Sequence, residues 1–337
     1  MTMAPGQPEA QPDAHVDLSA TDGAVAIKGR TPWQIVVSRL KRDKVTLVAG
    51  TITGLFLLAA VISPLLDALG IIDPYSTNPK LVTGVGSLPT GPLGGISLDH
   101  WLGVEPGTGR DMFSRILAGL TTSLTVAVLA TIISVLVGTV LGLISGFAGG
   151  WMDWGVSRVM DLLLSFPQIL MLLTLSAVLL DSMHDVLHFP AGAPSSIAFL
   201  VLFLSVFGWP FFARVIRGQV LSLRQREFIE AAESLGAKKT RLYFKEILPH
   251  LWAPILVYST LILPQYIAAE AALSFLGVGI QPPTPSLGSI MGDSVTYAAA
   301  DPAFFIIPGL TLSILVLAFN LLGDGLRDAL DPKSGRS

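Results

Sequence analysis

The sequence predicts an all-α integral membrane protein with six transmembrane helices, and three observations carry that expectation. Of its 337 residues 51% are hydrophobic and only 13% charged, with a mean hydropathy of +0.66, well outside the habits of a soluble globular domain. Uncharged runs recur along the chain that are long enough to cross ~30 Å of hydrocarbon at ~1.5 Å per residue. The basic residues are segregated, and with a net charge of −3 their pattern speaks of orientation rather than nucleic-acid binding. The sequence contains no Cys, which excludes disulfides, thiol catalysis and Cys-ligated metal or iron–sulfur sites.

Residues 1–30 are rich in Pro, Gly, Ala, Asp and Gln and lack apolar periodicity or an h-region, so they read as a disordered cytoplasmic tail and not a signal peptide. Residues 31–66 form the N-terminal segment, where Arg39, Lys41, Arg42 and Lys44 precede a first span over 45–66. The Gly/Pro-rich stretch 67–115 is too polar to cross and reads as an external loop, with turns at Asp73-Pro74, Asn78-Pro79 and Gly91-Pro92. Arg110, Asp111 and Arg115 at its end are candidates for external or interfacial contacts, either anchoring a helix at the headgroups or meeting a partner.

The remaining five spans lie within a membrane domain over 116–324. The second, 120–147, is free of charge and repeats glycine at 138, 142 and 146, a small-residue ridge that lets a neighbouring helix approach closely. The third covers 156–180 with Pro167 as a kink. An acidic loop follows in which His184 and His188 stand four apart; no third ligand is placed beside them, so a metal site is not assigned. The fourth span is 196–216, the fifth 252–275 and the sixth 304–322, leaving 325–337 as a cytoplasmic C-terminus.

Between the fourth and fifth spans lies a charged stretch, 226–249. Phe228, Ala231, Ala232 and Leu235 fall at i, i+3, i+4 and i+7, one apolar stripe of a short helix, with Glu227, Glu230 and Glu233 off it. Gly236 can end that helix in a left-handed cap, and Thr240, Tyr243, Phe244 and Ile247 restart a second one until Pro249 interrupts it. The expected product is a compact two-helix knob whose small alanines suit a groove on another protein.

Glu230-Ala231-Ala232, then Gly236 after three intervening residues, then Ile247-Leu248-Pro249, resembles the coupling loop of ABC importer permeases. His100-Trp101-Leu102-Gly103 with Gly109-Arg110-Asp111, the run Trp209 to Leu221, Leu273-Ser274-Phe275-Leu276-Gly277 with Gln281-Pro282-Pro283, and Phe319 to Pro332 are similar to the dipeptide, oligopeptide and nickel branch of that family, over residues 31–333. The sequence departs from the pattern with Trp101 where Pro is usual, Thr121 where Arg is common and Leu287 where Trp is usual. The resemblance implies the type I importer fold with cytoplasmic coupling helices and a docking surface for an ATPase made of Phe228, Glu230, Ala231, Ala232, Leu235, Gly236, Ala237, Leu248 and Pro249. It also implies a second homologous permease subunit, two ATPases carrying ATP and Mg²⁺, an external substrate-binding protein and surrounding lipid, in a bacterial inner membrane. Importers of peptides, of nickel and of other small solutes share these motifs.

Under the six-span arrangement eighteen of the 21 Lys and Arg residues lie on one side, which places both termini in the cytoplasm and leaves Lys80, Arg110 and Arg115 outside. No Gly-Lys dipeptide occurs, so the chain has no phosphate-cradling loop of its own and is not the ATPase. An ion-coupled transporter, the rival class, generally needs ionisable groups near the bilayer midplane. Glu270 is the best placed, but it lies toward the outer end of its span and reads as a packing or gate residue. No HExxH, GxSxG or paired carboxylates inside a span support an intramembrane enzyme.

Overall fold

The computed structural model describes residues 32–84, 86–185 and 192–330. The N-terminal tail and the last seven residues, like His188, lie outside the described residues, and of His184 only the backbone is described. Among the described residues no group of three or more metal-ligating side chains is gathered.

A short helix α1 (Pro32–Leu40) leads into α2 (Lys44–Ala68), whose first turn is capped by the Asp43 carboxylate accepting from Val45 N–H at 3.0 Å. The loop that follows carries a two-stranded antiparallel ribbon, β1 (Val82–Thr83) with β2 (Leu88–Pro89). Then come α3 (Met112–Ala148), α4 (Gly150–Ser165), α5 (Gln168–Asp185) and α6 (Ala193–Arg224). The charged stretch forms α7 (Glu227–Ser234) and α8 (Lys239–Arg241), and the chain closes with α9 (Leu248–Phe275), α10 (Leu287–Val295) and α11 (Pro302–Leu330).

Among the described residues five helices are individually long and apolar enough to cross a membrane. The expected third span is different: α4 and the start of α5 together pass the same test, but the axis turns by 77° around Pro167. Six spans are therefore reached by counting a broken pair as one. Proline removes one N–H and crowds the preceding turn, which permits the break. On the near side of the break α4 is tied to α6, where Arg217 grips Asp153 with two bonds of 2.6 and 2.8 Å and Arg214 reaches Asp161 at 2.6 Å.

The core is built on the α3–α6 pair. Gly138, Gly142 and Gly146 face α6 closely enough that a Cβ at Gly142 would lie 2.6 Å from the Ala213 carbonyl oxygen. Phe212, Ala213, Ile216 and Val220 fill the seam and are fully buried. Around this pair α9 adds Tyr266, whose hydroxyl meets the Ser134 hydroxyl at 2.7 Å in the interior. On the far side α2 is tied to α3 by the Thr121 hydroxyl, which donates to the Ala60 carbonyl at 2.7 Å and gives this uncharged residue a structural role. α2 also lies on α11, where Gly325 leaves room for the Thr46 side chain.

The loop after α2 is folded rather than draped. Asp111 caps α3 by accepting from Ser114 N–H at 2.8 Å and also meets His100 Nδ1 at 2.9 Å. Arg110 donates to Glu105 at 2.6 Å, and Arg115, only 2% exposed, approaches the other oxygen of Glu105 at 3.5 Å. Farther back in the loop, Asp73 accepts bonds from Tyr75 and Ser76 N–H, and the Ser76 side chain above all holds its carboxyl below the usual carboxylate range. Within the chain itself Arg110, Asp111 and Arg115 direct their charge into the loop, where the desolvated guanidinium groups of Arg110 and Arg115 share Glu105 as carboxylate partner and Asp111 faces His100.

Candidate docking site

The α7–α8 knob is assembled from local chemistry. Glu227 and Glu230 occupy the first turn of α7, where negative charge complements the free N–H groups. The helix ends in a complete Schellman motif, in which Gly236 N–H bonds the Glu233 carbonyl at 2.9 Å and Ala237 N–H bonds the Ala232 carbonyl at 3.0 Å. Gly236 has a φ of +77°, as the left-handed turn expected there requires.

What anchors the knob is Ile229, which is fully buried although it does not belong to the expected stripe. Ala232, Ala237 and Tyr243 are half-buried against the same core. Phe228 lies over His250 of α9 with ring centroids 5.1 Å apart, and Tyr243 meets Phe147 of α3 edge-on at 4.9 Å. The stripe predicted from periodicity consequently splits: Ala232 turns inward, while Ala231 is exposed and Leu235 is 89% exposed at the tip. A single buried isoleucine among exposed residues leaves no periodic trace in an eight-residue helix, which is why the stripe alone did not reveal it.

The outward residues border a concavity of about 540 Å³ lined by Phe228, Ala231, Ala232, Leu235, Gly236 and Ala237, with Lys238, Thr240 and Arg241 at its edge. Glu230, Leu248 and Pro249 do not line it; Glu230 and Pro249 are exposed and Leu248 is half-buried in the first turn of α9. An apolar floor with a basic rim and a bare Leu235 can receive a complementary apolar knob or cradle on a soluble partner.

The second part of the knob departs from expectation. Pro249 does not terminate a separate helix: the chain continues as one helical run, Lys239–Phe275, passing through a π-helical segment, Leu242–Ile247. There Leu248 N–H reaches back to the Tyr243 carbonyl, so the wider turn accommodates the ring of Pro249 without breaking the helix. The knob is therefore rigidly continuous with α9 on one side and separated from α6 by a short turn at Gln225 on the other.

Glu270 sits five residues before the end of α9 and is fully buried, accepting from the Ser274 hydroxyl at 2.7 Å. Beside it α10 starts with a capping box between Ser286 and Ser289, and Leu287 N–H bonds the Ser123 hydroxyl at 3.1 Å. Gly288 approaches so closely that a Cβ would lie 2.2 Å from the Ala271 carbonyl oxygen. Glu270 is thus packed at the junction of α3, α9 and α10, with its Oε2 buried and without a hydrogen-bond partner among the described residues. α10 itself is not anticipated from hydropathy, though Ser286 and Ser289 are its readable start signal.

Substituting Gly236 tests the cap. Its Cβ would meet nothing within 4 Å, so the cost is backbone strain alone, ~1–2 kcal/mol for a residue forced into the left-handed region. Gly236→Val is expected to insert and express near normally but to lose most transport, with Gly236→Ala milder, as read by uptake into proteoliposomes containing all subunits. Equal uptake by wild type and Gly236→Val would remove the glycine from the coupling geometry.

Comparison with known proteins agrees with this architecture. Residues 138–336 match the model of the binding-protein-dependent transport system inner membrane component, and residues 31–80 match the N-terminal transmembrane domain of oligopeptide transport permease C. The chain is 37% identical over 303 residues to the dipeptide transport system permease protein DppC of Alkalihalophilus pseudofirmus, covering 90% of each. It is 40% identical over 304 residues to the glutathione transport system permease protein GsiD of Salmonella paratyphi A, covering 90% of this chain and 91% of that one. Among solved structures, an inward-facing MetNI methionine ABC transporter chain superposes with a TM-score of 0.51 over 65% of this chain and 98% of its own, at 20% identity, which supports the fold. The chain belongs to the binding-protein-dependent transport system inner membrane components, the permease subunits of ABC importers, in the branch that carries the oligopeptide permease C N-terminal domain.

Proposed function

We propose that this permease and a second, related permease subunit form the path by which di- or oligopeptides enter a bacterial cell across the inner membrane. The relatives named for dipeptide and glutathione transport support a peptidic substrate. Two ATPases, binding ATP and Mg²⁺, drive the cycle from the cytoplasm, and an external binding protein delivers the solute. The observation that carries this reading is the α7–α8 knob, anchored by buried Ile229 and continuous with α9, with its apolar concavity left open. A knob fused to a span transmits closure of a docked ATPase as rigid-body movement of that span.

The orientation is testable by itself. A reporter inserted after Lys245 is expected in the cytoplasm and one inserted near Gly91 on the outside; an external signal at Lys245 inverts the arrangement. For function, proteoliposomes holding both permeases and the ATPases are expected to accumulate labelled dipeptide only with ATP and binding protein together. Gradient-driven uptake by this chain alone would instead establish the ion-coupled class.

A further inference from the structure

We propose that the pocket around Asp301 is a binding site for a primary ammonium group, supplied by a lysine side chain of the external substrate-binding protein; the identity of that partner rests on the importer reading above. Asp301 stands immediately before Pro302, at the start of α11, and is 6% exposed. Its Oδ2 is buried without a hydrogen-bond partner, and among the described residues no Lys, Arg or His forms an ion pair with it. A buried carboxylate is ordinarily paired or hydrogen-bonded, so an orphaned oxygen on a residue that lines a cavity marks a place for a cation that the chain itself does not supply.

The cavity beside it measures about 520 Å³ and is walled by Leu88, Pro89, Leu93 and Ile96 of the loop and by Ala303 and Ile307 of α11. Gly94 borders the carboxylate with a φ of +76°, and a Cβ there would stand 3.1 and 3.3 Å from its two oxygens. The glycine therefore keeps the approach to Asp301 open while leaving it narrow. Apolar walls around one carboxylate suit a methylene stem with a charged tip. The narrow approach past Gly94 suits a compact ammonium on an extended stem better than the broad planar fork of a guanidinium.

The walls belong to the loop after α2 and to the first turns of α11, so the mouth lies at the end of the molecule opposite the α7–α8 knob. With the knob in the cytoplasm, an occupant must arrive from outside. The soluble partner on that side is the binding protein, and a lysine inserted here would register it over the permease by charge complementarity.

The test uses the complete complex of both permeases and ATPases in nanodiscs containing phosphatidylethanolamine and phosphatidylglycerol, titrated with the binding protein. Zero-length carbodiimide coupling followed by peptide mapping is expected to join Asp301 to one binding-protein lysine. Asp301→Asn is expected to abolish that link and weaken binding by at least about 30-fold, with ATP hydrolysis in the absence of binding protein unchanged. Gly94→Ala, which narrows the approach but keeps the carboxylate, is expected to weaken binding in the same direction, and it carries the test if Asp301→Asn does not assemble. Wild-type affinity in an assembled variant overturns the proposal, and so does coupling of Asp301 to lipid amine, to the substrate's own amine or to the second permease. If the wild-type complex does not bind the binding protein at all, it is the importer reading that falls, a result distinct from normal wild-type binding with an indifferent Asp301.

Discussion

Ala231→Asp is expected to give a permease that inserts, folds and pairs in the membrane but purifies without its ATPase, with uptake reduced roughly 100-fold or more, since an unpaired charge buried at an interface costs several kcal/mol. Ala231 is exposed in this chain and borders the apolar concavity, so the substitution meets water and not protein until a partner docks. The helix itself loses little, ~0.5 kcal/mol for Asp in place of Ala. A control separates docking from folding: Ile229, two residues earlier, is fully buried, and Ile229→Asp is expected to lower the yield of folded permease even without ATPases. Copurification of ATPase with Ala231→Asp at wild-type stoichiometry, together with normal uptake, would remove this face from the docking surface.

The position of Ala231 was legible in the sequence because the signals that build the knob are local. The acidic first turn, the Schellman glycine and the alanine spacing all act within a dozen residues. Ile229 was not legible, since its burial is decided by the core it joins, where α7 packs on α6 and on the Leu242–Ile247 segment, and not by its neighbours in sequence. The same division runs through the membrane domain. Hydropathy finds the spans because the bilayer admits only uncharged helical runs, yet it reports only the part that lies in hydrocarbon. α6 therefore runs on to Arg224 and α11 to Leu330, beyond the uncharged stretches that announce them. Pro167 announces a weak point but not a 77° turn, because the angle depends on how α4 and α5 each pack against other helices, among them α6 with Arg217 and Arg214. Arg110, Asp111 and Arg115 look like surface charges until the loop folds back and supplies Glu105.

Gly142→Leu is expected to cost the fold itself, because Gly142 occupies the middle of the close α3–α6 crossing on which the core is built. A Cβ there would stand 2.6 Å from the Ala213 carbonyl oxygen and 2.9 Å from Ile216 Cβ, both on α6. The carbonyl belongs to the backbone, so no rotamer change relieves the contact and the helices must separate. Separation also opens the flanking approaches, where Gly138 faces Trp209 and Phe212 and Gly146 faces Val220 and Arg217. Overpacking at a single well-packed site costs ~1–3 kcal/mol, and here three glycines on one ridge share the strain. The bond between Arg217 and Asp153 is then pulled as well, so the damage is expected to reach α4. We expect a fall in melting temperature of roughly 5 °C or more and a large loss of monodisperse protein in detergent. Gly54→Leu, on α2 where a Cβ meets nothing within 4 Å, is expected to behave as wild type and controls for the added side chain. A Gly142→Leu permease that melts with the wild type would mean that α3 and α6 are held together by something other than this ridge.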